Sequence, residues 1–76
     1  MSDPAPRPPT FGQHLRALRE RRGLTRMELA VLVRCGITSI YYWEHDQCLP
    51  KDSSMLALAR ALRTTVAALC GQEEQR

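Results

Sequence analysis

The chain has no long apolar run, no closely spaced cysteines, a single lysine and only four aromatic residues, and each shortage removes a class of function. Its longest uncharged apolar stretch, Leu29 to Val33, is far short of the roughly 20 residues that a membrane-spanning helix needs. The N-terminus lacks the basic-then-apolar order of a secretory signal, so a cytoplasmic location is expected, with no membrane partner. Cys35, Cys48 and Cys70 are an odd number, scattered, with no C-x-x-C and no histidine at zinc-ligand spacing. A disulfide framework and a metal centre are therefore not expected; the thiols read as buried or incidental, and His14 and His45 stand apart from them. No cofactor is called for. There is also no Ser-His-Asp or Cys-His arrangement, no glycine-rich phosphate loop and no carboxylate pair on one helix face, which argues against an enzyme.

What is present is enough for one small domain. The 76 residues are 43% apolar and 25% charged, the ordinary mixture of a folded soluble chain. A core of this size is small, so a partner subunit is a natural source of added stability. The formal charge is +3. From Arg7 to Arg63, ten basic residues face five acids (Glu20, Glu28, Glu44, Asp46, Asp52), while Glu73 and Glu74 fall in the tail. Ten of the eleven bases are arginine, whose planar fork suits phosphate and base edges. The balance tilts toward a polyanionic partner without deciding it, since a solvated basic face looks the same.

Four of the five prolines lie in residues 1–9, which predicts an extended arm, because proline lacks an amide donor and blocks helix. Thr10 with Gln13 makes a capping box, so a helix should begin near Phe11, carry Leu15, Leu18 and Arg22 at helical spacing, and stop at Gly23. Thr25 with Glu28 repeats the pattern. The second helix should run to about Arg34 with Leu29, Ala30 and Val33 inward. Gly36 can cap a third helix bearing Ile40 and Trp43 on one face. The segment from His45 to Lys51, with Pro50, reads as a loop. Asp52 or Ser53 should cap a fourth helix with Met55, Leu58, Ala59 and Leu62 inward. Thr65 should cap a last short helix, Val66 to Cys70, closed by Gly71. The domain thus spans 10–71, followed by a frayed tail over 72–76.

Two short helices joined by a tight turn match helix-turn-helix geometry, in which the second helix enters the major groove. The close approach of the helices demands a small residue, and Ala30 stands there. A branched residue ten positions on should pack back, and Ile40 stands there; Trp43, one turn later, should seal the same core.

With LRALRERRGLT (Leu15 to Thr25), ELA (Glu28 to Ala30), Ile40, Trp43-Glu44 and LALARAL (Leu56 to Leu62), residues 11–70 resemble the Cro and phage-repressor helix-turn-helix regulators, the XRE-like family. The resemblance implies an all-α, five-helix, lambda-repressor-like DNA-binding domain that acts as a homodimer on a two-fold symmetric operator. It also implies an ion pair between Arg19 and Glu44, which would fix orientation more than add stability. Two positions depart from the family pattern: Arg34 replaces the glycine of the turn, and Asp46 replaces the glycine after the recognition helix. A left-handed backbone at Arg34 costs of order 1 kcal/mol, whereas aspartate tolerates that conformation better.

In this register Ile37, Thr38, Tyr41 and Tyr42 should face the bases, Tyr42 foremost; the alternatives are Ile37 capping the core and Tyr41 lying over the sugar-phosphate backbone. The commonest base readers, arginine, lysine, asparagine and glutamine, are missing from the stretch, so apolar and tyrosine contacts and DNA shape should carry the specificity. Thr25 and Arg26, at a helix N-terminus suited to anions, are the first candidates for phosphate contact, with Arg34, Ser39, Gln47 and Lys51. Arg21, Arg22, Arg60 and Arg63 read as solvated surface. The competing reading is a protein-interaction module on the same fold, an antitoxin or anti-repressor, that uses the Tyr41/Tyr42 face on a protein partner. For dimerisation, Val66, Leu69 and Cys70 of the last helix are the candidate surface, unless they only complete the core.

Overall fold

Thr10 sets the first helix. In the computed structural model its hydroxyl accepts the Gln13 N–H at 3.2 Å while the Gln13 side chain accepts the Thr10 N–H at 3.0 Å. This reciprocal cap satisfies two of the amides that a helix start leaves without partners. The structure describes residues 10–71; the arm expected over 1–9 and the tail expected over 72–76 lie outside them. Within the described residues the chain forms five helices and no strand: α1 (Phe11–Arg21), α2 (Arg26–Val33), α3 (Ile37–Glu44), α4 (Asp52–Ala61) and α5 (Val66–Leu69).

Thr25 and Glu28 cap α2 in the same reciprocal way, and Thr65 caps α5 by accepting the Ala68 N–H at 3.0 Å. The fourth helix begins differently from the sequence reading. Lys51, not Asp52 or Ser53, is the N-cap residue and supplies no side-chain bond; Asp52 instead takes the first helical position. There its carboxylate still meets the positive end of the helix dipole.

All four longer helices end with one device. The residue just past the helix turns left-handed, its N–H and that of the next residue returning to carbonyls of the last turn. Gly23 (φ 73) does this for α1, with Leu24 N–H on Arg19 O at 3.1 Å. Arg34 (φ 58) closes α2 with Cys35 N–H on Ala30 O at 3.0 Å. Asp46 (φ 59) closes α3 with Gln47 N–H on Tyr42 O at 2.9 Å. Arg63 (φ 56) closes α4 with Thr64 N–H on Ala59 O at 2.8 Å. Only the first uses glycine, so three turns carry a steric cost that glycine would avoid.

The core is one cluster: Leu15, Leu29, Ala30, Ile40, Trp43, Leu58, Ala59, Leu62 and Leu69 are buried, with Phe11, Leu18, Val33 and Met55 packed around them. Helix α3 packs on both α1 and α2, while α4 backs α2 and α5 joins α1 to α4. Arg22, expected on the inner stripe of α1, is exposed; the charged residue buried there is Arg19. Leu69 is fully buried and Val66 packs partly against the core, so α5 finishes the core and leaves Ala67, with Cys70 just beyond the helix, exposed.

Candidate nucleic-acid interface

Helix α3 is divided sharply between two faces. Ile40, Trp43 and Glu44 are buried at 0%, 7% and 6% exposure, whereas Ile37, Tyr41 and Tyr42 are 42%, 43% and 47% exposed. Thr38 is exposed and Ser39 half-buried. Residues four apart on a helix stand above one another, so Ile37 with Tyr41 and Thr38 with Tyr42 form two adjacent outward stripes. The structure therefore brings the four sequence-selected readers onto a single surface. The Tyr41 and Tyr42 rings lie 5.9 Å apart between centroids.

The buried edge of that face holds a shared carboxylate. Glu44 Oε2 accepts from Arg19 Nε at 2.5 Å, and Glu44 Oε1 accepts from Arg26 Nε at 3.0 Å. The Glu44 side chain is 1% exposed, that of Arg19 9% and that of Arg26 34%. Arg19 also donates from Nη1 to the Leu24 carbonyl at 2.7 Å, which ties the end of α1 to the turn before α2. One carboxylate thus joins α1, α2 and α3. Two guanidiniums, those of Arg19 and Arg26, share this single buried acid.

Arg26 has a second contact. Its guanidinium carbon lies 5.5 Å from the Tyr41 ring centroid, within cation–π range. The His45 ring lies 4.0 Å from the same ring, and its Nδ1 is 2.9 Å from the Tyr41 carbonyl oxygen.

At the start of α2, the Thr25 N–H is taken by the Glu28 carboxylate at 2.8 Å, and the Thr25 hydroxyl accepts the Glu28 N–H at 3.0 Å. The expected capping box therefore occupies the Thr25 and Glu28 amides. The Thr25 O–H remains a donor. Arg34, Gln47 and Lys51 are exposed, Arg34 in the turn between the helices and the other two in the segment after α3. Burial pushes the half-buried Cys35 thiol up from its ordinary pKa, while Cys48 and Cys70 are exposed. Among the described residues no group of three or more histidine, cysteine or acidic side chains is placed to hold a metal ion, and no helix is long and apolar enough to cross a membrane.

The architecture and its outward helix match a known domain. A family model described as a helix-turn-helix domain matches residues 10–69. The chain belongs to the helix-turn-helix family. Its place among the Cro and phage-repressor-like regulators is supported by individual relatives. The immunity repressor protein of Bacillus phage phi105 is 34% identical over 64 residues, spanning 84% of this chain and 44% of that protein. The match thus spans less than half the length of that curated relative. Among solved structures, the P22 c2 repressor in complex with a synthetic operator superposes with a TM-score of 0.81 at 25% identity, over 86% of this chain and 98% of that one. The restriction-modification controller protein C.AhdI from Aeromonas hydrophila gives a TM-score of 0.75 at 34% identity, covering 78% of this chain and 89% of that one.

Three features of this helix-turn-helix domain escaped sequence reasoning. The first is Gly12. A Cβ there would lie 2.8 Å from the Trp43 carbonyl oxygen and closer still to the Glu44 backbone, so only glycine lets α1 lie against the end of α3. The second is the reach of Asp46. Its carboxylate accepts the Gly12 N–H at 2.9 Å and the Thr10 hydroxyl at 2.6 Å, capping α1 from 34 residues away. The residue that replaces a turn glycine therefore has its own task. The third is the Arg26–Glu44 contact, since the sequence marked Arg26 only as a base at a helix start suited to phosphate.

Proposed function

We propose that this helix-turn-helix domain is a sequence-specific, double-stranded DNA-binding transcriptional regulator, a repressor, that inserts α3 into the major groove of a palindromic operator as a homodimer. The observation that carries this reading is the division of α3. A helix locked on one side by Ile40, Trp43 and buried Glu44 offers Ile37, Thr38, Tyr41 and Tyr42 as a fixed outward surface. Ile37 and the Thr38 methyl meet thymine methyl groups, and the tyrosines bond base edges or nearby phosphates. Thr25 through its hydroxyl, Arg26 through its terminal amino groups, and Arg34, Ser39, Gln47 and Lys51 hold the flanking phosphates. That the structurally similar P22 c2 repressor is seen with an operator supports the same use here.

For the dimer, Met55, Leu56 and Val66, together with Asp52, line a largely apolar groove on the α4–α5 side, and Leu56 is 54% exposed. This surface extends the expected contact of α5, from which buried Leu69 is withdrawn. Burying such side chains against a second copy would supplement a small core.

The test is selection of duplexes from a random-sequence pool, followed by determination of the mass of the complex in solution. The reading expects a two-fold symmetric consensus and two chains per duplex. No enriched sequence, with capture of a protein through the Tyr41/Tyr42 face instead, would favour the interaction-module reading.

A further inference from the structure

We infer that Arg26 is a specificity-determining positioning residue, which fixes the Tyr41 ring for base reading and does not serve only as a phosphate anchor. The inference rests on the DNA-reading role of α3 proposed above. It begins at the most deeply buried charge in the domain. The Glu44 side chain is 1% exposed and is fixed by Arg19 at 2.5 Å. Its other oxygen holds Arg26 Nε at 3.0 Å, so the guanidinium is pinned at its inner end while a third of the side chain remains exposed.

The pinned plane then lies 5.5 Å from the Tyr41 ring. His45 provides a second neighbour at 4.0 Å, itself anchored through Nδ1 at the Tyr41 carbonyl. Tyr42, by contrast, has Tyr41 as its only ring contact among the described residues, at 5.9 Å. An exposed tyrosine that is already held in one orientation binds without losing rotamer freedom at the moment of contact. Tyr41 is thus the preset reader and Tyr42 the adaptable one. The line Arg19–Glu44–Arg26–Tyr41 carries order from the buried core to the groove-facing surface.

Only arginine can serve. Its Nε bonds Glu44 while the rest of the guanidinium reaches the Tyr41 face; a lysine keeps the charge but has a single ammonium, which can meet the carboxylate or the ring and not both. Arg26→Lys therefore separates the two roles. A phosphate contact survives it, whereas the positioning of Tyr41 does not.

The experiment measures binding of the wild type, Arg26→Lys, Tyr41→Ala and the double variant to a duplex selected from a random pool and to its scrambled counterpart, across a salt series. Thermal melts confirm that each variant is folded at the assay temperature. The expected result is that Arg26→Lys lowers the preference for the selected duplex about two- to fivefold, as loss of a cation–π contact implies, with the salt slope unchanged. In the Tyr41→Ala background the same change should have no further effect on preference, since coupled residues are non-additive. If Arg26→Lys leaves preference intact, or its effect adds independently to that of Tyr41→Ala, the assignment is overturned while the DNA reading stands. If the wild type itself shows no preference, the DNA reading falls and takes the assignment with it.

Discussion

Replacing Glu44 by glutamine tests the shared carboxylate at its centre. The change preserves shape but removes the one carboxylate shared by the Arg19 and Arg26 guanidiniums. Arg19 suffers most, because its side chain is 9% exposed and its closest contact, 2.5 Å, is to this acid. Removing one partner of a buried pair costs about 3–5 kcal/mol, since it leaves an uncompensated buried charge. Arg19 keeps the Leu24 carbonyl at 2.7 Å and has Glu20 at 3.9 Å, which argues for the lower end. Arg26 adds little, because a side chain one-third exposed can turn to solvent. About 3 kcal/mol is a large part of the stability of so small a domain, which at roughly 0.1 kcal/mol per residue amounts to only several kcal/mol. At about 4–8 °C per kcal/mol, the melting temperature should fall by about 12–24 °C. Thermal and urea unfolding followed by circular dichroism measure this directly. The double replacement Arg19→Met with Glu44→Leu should recover most of the loss, because it removes the buried charges together. A Glu44→Gln loss below about 1 kcal/mol, the range of exposed ion pairs, would refute the view of Glu44 as a buried keystone.

Other expectations follow from the turns and the helix contacts. Arg63→Gly should stabilise by about 0.5–1 kcal/mol in urea unfolding, because relief of left-handed strain exceeds the added unfolded-state entropy. Arg34→Gly should bring a similar gain but lower the magnitude of the salt slope of DNA binding by about 0.9, if Arg34 holds one phosphate. Gly12→Ala should destabilise by more than about 2 kcal/mol, since backbone rather than flexible side chain blocks the new methyl; a neutral melt would show that α1 and α3 can part freely. Asp46→Ala should cost about 1–2 kcal/mol through loss of the α1 cap, whereas Asp46→Asn should keep most of it, as an asparagine oxygen can still accept the Gly12 N–H.

The fold was legible because its local signals agree. Capping boxes at Thr10 and Thr25, Gly23 after α1, and the 3–4 spacing of Leu58 and Leu62 all name a helix or its end, and each acts within a few residues. Arg63 was not legible as a left-handed turn, because nothing in an arginine marks it; the conformation is imposed by the way α4 hands over to α5. The outward face of α3 could be read by subtraction, once Ile40 and Trp43 were assigned to the core. What lay beyond the sequence was long-range: Asp46 reaching back to Gly12, and Arg26 dividing itself between Glu44 and Tyr41. Contacts of this kind depend on how helices are placed in space, which spacing within one helix does not encode.

The central claim, that α3 reads a particular DNA sequence, is tested most directly by titrating the folded protein against its selected duplex and a scrambled one at near-physiological salt. The account expects the selected duplex to bind at least about 10³-fold more tightly, as specific operators do. It further expects Tyr42→Ala to erode that margin. Equal, weak binding of both duplexes, with the same steep salt dependence, would contradict it.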